Sequence, residues 1–204
     1  MSQKRASFFP ATLVFFLLAA TSMIAAQTAV VDFDMTFVRG RVFRKSPDTE
    51  PFDSKPGQYR VPFSTSIITF VDGQCFMQVS GSELRLKQET ILSLSALHSF
   101  ELRQGLAGFK AGSEKLLLNT AHLKVELVDA IVVVKTNPAL TRVCVVKGQV
   151  TVAQGKSIAV VKAGEEIAAA PQRFSQVYKQ SDELRFTWYW VSADKEPALQ
   201  AELN

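Results

Sequence analysis

Between Ile67 and Ala168 the apolar residues fall into short runs, each stopped by a turn former, and a chain built this way can fold only as many short strands. Ile67-Ile68-Thr69-Phe70-Val71 is closed by Asp72-Gly73 and resumes as Cys75-Phe76-Met77-Gln78-Val79. Asp-Gly readily takes the positive φ angles of a two-residue turn, so the pattern predicts a hairpin. A second hairpin is expected where Thr141-Arg142-Val143-Cys144-Val145-Val146 passes through Lys147-Gly148 into Gln149-Val150-Thr151-Val152. Residues 83–86, 91–94, 99–103, 105–110, 115–119, 123–128 and 131–135 read as further strands, and 157–161 and 165–168 flank a turn at Ala163-Gly164. A strand roughly every ten residues is the rhythm of a β-sandwich, barrel or roll. No strand-helix-strand alternation is present, which argues against a doubly wound nucleotide-binding fold.

Two segments break this rhythm. Residues 46–60, SPDTEPFDSKPGQYR, hold three prolines and mixed charge, and read as a surface excursion between a first strand at 36–44 and the main run. Near the C-terminus, Ser181-Asp182-Glu183 offers a helix cap and an acidic first turn. Leu184, Trp188 and Val191 then fall on one side of an amphipathic helix, and Phe186 and Trp190 on another. A short isolated helix is marginal in water, so this surface is expected to pack on an open end or face of the β domain, or on a partner. Phe186, Trp188, Tyr189 and Trp190 are therefore the candidate partner-binding residues.

The N-terminus reads as an export signal. Lys4 and Arg5 precede the apolar stretch ATLVFFLLAA, and TSMIAA leads to Gln27, an order that places cleavage after Ala26. The alternative is an uncleaved inner-membrane anchor, since the apolar stretch approaches the length of a spanning helix once Phe8 and Phe9 are counted. Residues 1–26 carry two of the 23 basic residues and none of the 19 acidic ones, so the remaining chain is nearly neutral. A broad basic face for nucleic acid is not expected. The organisation that follows is a signal at 1–26, a β domain at 27–175 with a variable loop at 46–60, and an aromatic helix and tail at 176–204.

The order of the β units resembles the FecR domain family. The matching residues are Ser66 to Gln74 (SIITFVDGQ), Leu84-Arg85-Leu86, Leu92-Ser93-Leu94 and LRQGLAGF at 102–109. VCVVKGQVTV at 143–152 and VVKAGE at 160–165 are similar to the family's closing strands, so the resemblance covers about residues 36–170. Val128-Asp129-Ala130 stands where the family often has a Gly-Thr pair. The resemblance implies an extracytoplasmic all-β roll or sandwich. In the best-known members this domain passes a signal from an outer-membrane transporter to a sigma-factor regulator through a preceding cytoplasmic helical domain. Only a few residues precede the apolar stretch here, so the expectation is a stand-alone exported module without the cytoplasmic anti-sigma region.

Catalysis finds little support in the residue inventory. Acid-base chemistry at neutral pH leans on histidine, and the chain has two, His98 and His122. Neither is spaced with the other or with Cys75 or Cys144 as a recognised metal site requires, and no nucleophile elbow, zinc-protease motif or phosphate-binding loop occurs. No cofactor and no metal are expected. Cys75 and Cys144 leave two readings open, a disulfide closing a long loop or two buried thiols, with their apolar strand context favouring thiols. The expected function is thus a non-enzymatic binding, regulatory or scaffolding module that engages a protein or cell-envelope component in the periplasm or envelope. The alternative is a small-molecule sensor or cupin-like barrel enzyme.

Overall fold

The computed structural model describes residues 29–171 and 173–179. The expected signal at 1–26, the C-terminal helix and its Phe186, Trp188, Tyr189 and Trp190 lie outside the described residues.

Among the described residues the chain forms eighteen strands and no helix. The first five are β1 (Val30–Arg39), β2 (Val42–Lys45), β3 (Phe52–Asp53), β4 (Gly57–Pro62) and β5 (Thr65–Thr69). Next come β6 (Gln74–Val79), β7 (Ser82–Leu86), β8 (Ile91–Ala96) and β9 (Ser99–Lys110). They are followed by β10 (Leu116–Thr120), β11 (Lys124–Leu127), β12 (Ile131–Thr136) and β13 (Thr141–Lys147). The last are β14 (Gln149–Gln154), β15 (Ser157–Lys162), β16 (Glu165–Ala170), β17 (Arg173–Phe174) and β18 (Tyr178–Lys179).

Sheet I runs in the order β4-β1-β6-β7-β9-β12-β13-β16, with β17 and β18 both paired to the outer side of β16. Sheet II runs β3-β2-β5-β8-β9-β10-β11-β14-β15. Every pairing is antiparallel except β9 with β10. The sheets face one another over one core. Phe33, Met35, Leu84, Phe109, Val132 and Val134 of sheet I meet Ile67, Leu92, Phe100, Leu118, Val125 and Val152 of sheet II, all nearly or fully shielded from solvent. This bears out the all-β roll expected from the strand rhythm.

The turns do different work from that expected. Neither Asp72-Gly73 nor Lys147-Gly148 closes a hairpin. Asp72-Gly73 takes the chain from β5 in sheet II to β6 in sheet I, and Gly148 takes it from β13 in sheet I to β14 in sheet II. The reason is contact with a second corner. At Gly148, φ is +79° and an added Cβ would stand 2.7 Å from the carbonyl oxygen of Asp129. Asp129, at the position where a Gly-Thr pair was expected, itself takes φ +46°, a conformation that asparagine and aspartate tolerate better than most residues. Adjacent corners are then tied by backbone bonds, Ala163 N to Gly148 O and Asp129 N to Gly112 O at 2.9 and 2.8 Å. True hairpins sit elsewhere, as at Ser80-Gly81 between β6 and β7, where both turn residues have positive φ.

Other boundaries also shift. The expected first strand at 36–44 is two strands in different sheets, and 99–103 and 105–110 are one strand, β9, shared by both sheets. The excursion at 46–60 is surface chain that also adds strand at the sheet edges. It contains β3, which extends sheet II, and the start of β4, which extends sheet I. Tyr59 anchors it, with its ring 5.3 Å from that of Phe33, the Arg44 guanidinium 3.8 Å above it, and its hydroxyl donating to Lys55 O at 2.6 Å.

Candidate functional site

The outward face of sheet I departs most from an ordinary solvated strand surface. In a half-exposed sheet, every second side chain should meet water. On β12 the core takes Val132 and Val134, so Val133 points out, and on β13 the core takes Val143 and Val145, so Cys144 points out. Both outward residues are nonetheless fully buried, and they form a second apolar cluster flanked by Leu106, Ile131 and Val146.

Register aligns these residues into a transverse row. Phe37 of β1 is opposite Phe76 of β6, and Phe76 is opposite Arg85 of β7. Arg85 is opposite Gly108 of β9, which is opposite Val133. Cys144 pairs with Val133 on one side and with Glu166 of β16 on the other, and Glu166 is opposite Tyr178 of β18. The row starts with a stack: the Phe37 and Phe76 rings are 4.7 Å apart, and the Arg85 guanidinium lies 5.3 Å over Phe76. Arg85 is also paired with Glu83 at 2.5 Å. At the centre, Gly108 has no side chain, so the face dips between Arg85 and Val133.

Charge is concentrated at the far end. Glu166 is completely buried, accepts from Arg142 Nε at 2.5 Å and from the Tyr178 hydroxyl at 2.9 Å. The hydrogen bond to Glu166 raises the Arg142 pKa above its ordinary value, so the guanidinium keeps its charge. Tyr178 is also pushed up, first by burial and then by its bond to Glu166, so it stays a protonated donor at neutral pH. A carboxylate buried against the Arg142 and Tyr178 donors orders the strand edge. Beyond Phe37, the same face holds an open cleft of about 450 Å³ lined by Asp32, Asp34, Gln58, Arg60 and Gln78.

The other candidates are dispersed. His98 sits at the turn between β8 and β9, its Nε2 2.9 Å from Glu114 in a cleft of about 500 Å³. His122 sits at the turn between β10 and β11 in a separate cleft of about 430 Å³, with Nε2 buried and lacking a hydrogen-bond partner. Neither cleft contains a cysteine. Cys75 points into the core and Cys144 out of the sheet, with β7, β9 and β12 between their strands, and they are not bridged to each other. A bridge needs Cα atoms within about 7 Å, and four strand spacings of about 4.8 Å put them far beyond that. Among the described residues no group of three or more His, Cys, Asp or Glu is arranged to hold a metal ion. The row escaped the strand reading because alternation assigns outward positions to solvent. Its signal was the unbroken apolar character of Ile131-Val132-Val133-Val134 and Val143-Cys144-Val145-Val146, which marks strands buried on both faces.

Two crystal structures of a candidate anti-sigma factor from Parabacteroides distasonis ATCC 8503 share this architecture. One aligns with a TM-score of 0.52 at 17% identity and the other with 0.52 at 16%. Each alignment covers 62% of this chain and 64% of the other, so it spans less than two thirds of those proteins. At that identity the likeness is one of fold. No family model matches the sequence, and no curated protein does.

Proposed function

We propose that this protein is an exported FecR-like module that acts by binding a protein or cell-envelope component in a regulatory or scaffolding role, without catalysing a reaction. The observation that carries this reading is the fold shared with structures described as candidate anti-sigma factors, whose name denotes action through a protein partner. The strand order that resembles the FecR family and the N-terminal Lys4-Arg5 and apolar segment support the same reading, including work in the periplasm or envelope. The interior of the sandwich is filled with aliphatic and aromatic side chains, which leaves surfaces for recognition. A cupin-like site would draw on clustered histidines, whereas His98 and His122 occupy separate clefts.

A pull-down from envelope extract tests this, comparing the full chain with a variant carrying Asp34→Lys and Gln78→Arg at the cleft on sheet I. The expected result is one protein or envelope polymer held by the natural chain and lost with the variant while the melting temperature stays the same. Saturable binding of a small metabolite, with no macromolecule retained, would overturn it.

A further inference from the structure

We propose that residues 180–204 of this same chain dock across the outward face of sheet I, along the row from β18 toward β6. This surface assignment stands apart from the partner reading above. Val133 and Cys144 are fully buried, and Phe76 is 4% exposed, although all three point away from the core. Their neighbours within the sheet flank them at the same height and cannot roof them, so the face is covered from above.

Where the chain leaves the fold identifies the cover. β18 pairs through Tyr178 with Glu166 and through Lys179 with Glu165, which brings the chain to the end of the row, and 25 residues follow Lys179. Five strand spacings separate β16 from β6, about 24 Å at 4.8 Å each. Sixteen residues of helix rise about 24 Å, and sixteen residues run from Ser181 to Glu196, just before Pro197. Length and exit point thus agree.

The chemistry agrees as well. Leu184, Trp188 and Val191, which share one side of the expected helix, supply an apolar surface for the strip formed by Val133, Cys144 and Leu106, and the dip at Gly108 leaves room for a ring. Residues 180–204 hold five carboxylates and two cations, while along the row the cations Arg85, Lys87, Lys110, Lys135 and Arg142 outnumber the carboxylates Glu83 and Glu166. Opposite charges therefore meet at the rim of an apolar contact.

Cys144 is a built-in reporter, since it lies beneath the proposed contact whereas Cys75 lies in the core. In the folded full chain, Trp188→Asp with Trp190→Asp is expected to speed alkylation of Cys144 by at least about tenfold and to leave Cys75 protected. An unchanged Cys144 rate would overturn the proposal. Should both thiols become reactive, as in a variant that unfolds, a second measurement decides. Leu184→Cys, Phe186→Cys and Trp188→Cys are each introduced singly, oxidised mildly and mapped by peptide mass. A disulfide to Cys144 within one chain is the expected result. A bridge to Cys144 only between two chains would assign the face to a second copy, and no bridge in the series would leave another occupant; either result overturns the proposal.

Discussion

The rings of Phe100 and Phe109 lie 6.3 Å apart, centroid to centroid, although both belong to β9. Nine residues of straight strand would separate them by about 30 Å. The strand instead folds over at Gly105, leaving its first half in sheet II and its second half in sheet I, so one strand supplies an aromatic ring to each wall of the core.

That bend predicts a sharp sensitivity at Gly105. Its φ is +103°, and an added Cβ would overlap the side chain and Cα of Thr90, whose hydroxyl bridges Leu106 N and O at 3.1 and 3.2 Å. Gly105→Ala is expected to destabilise the domain by at least about 2 kcal/mol, read as a lower urea midpoint at unchanged slope. A midpoint equal to that of the natural protein would show that the corner relaxes freely.

Two of the arginine-carboxylate pairs on sheet I, one buried and one exposed, should behave differently. Arg142→Met removes a donor from the fully buried Glu166 and is expected to cost about 2–4 kcal/mol, toward the lower end because the guanidinium reaches solvent. Arg60→Ala breaks a 3.8 Å pair with Asp32 whose side chains are 73% and 75% exposed, and should cost less than about 0.5 kcal/mol. Chemical denaturation of the two variants side by side measures the contrast.

Tyr178 sets an alkaline limit. Burial and the bond to Glu166 hold its pKa above the ordinary 10.0, so the folded state keeps a proton that the unfolded state releases. Its contribution is complete below pH 10 and is lost as pH rises through the folded value. The stability difference between the natural protein and Tyr178→Phe, from urea melts at intervals through that window, should shrink as pH rises. A constant difference would exclude the linkage.

Both cysteines should count as thiols. Burial pushes the Cys75 thiol up, away from its reactive thiolate form, and Cys144 lies on the opposite face of the sheet. Protein denatured without reductant is expected to titrate two thiols, and the same two with reductant. A value near zero without reductant would show a bridge.

Much of the fold was legible along the chain because strand formation is a local matter of alternation and turn chemistry. Residues 91–94, 131–135 and 141–146 fall inside β8, β12 and β13, and the all-β class follows from them. The buried carboxylate was not legible. Glu165 and Glu166 look alike in sequence, and only the parity of β16 turns Glu166 to Arg142 and Tyr178 while Glu165 reaches back to Lys162 N at 2.8 Å.

By itself the amino-acid sequence determined where most of the strands from Ile67 onward lie, where the chain must turn, and that one sandwich-sized core would form. Only the tertiary structure decided what each turn connects. A residue's preference for a turn is local, and it is satisfied equally by a hairpin and by a corner between sheets; Gly148 makes its corner at positive φ, and Asp72-Gly73 makes its corner without it. The choice falls to distant backbone: Asp129 pressed against Gly148, and Arg41 donating its N–H to Asp72 at 3.4 Å, commit both glycine turns to corners. Those corners alternate the chain between sheets and bring Phe76, Gly108, Val133 and Cys144 into one row, because strands distant in sequence become neighbours only when the roll closes.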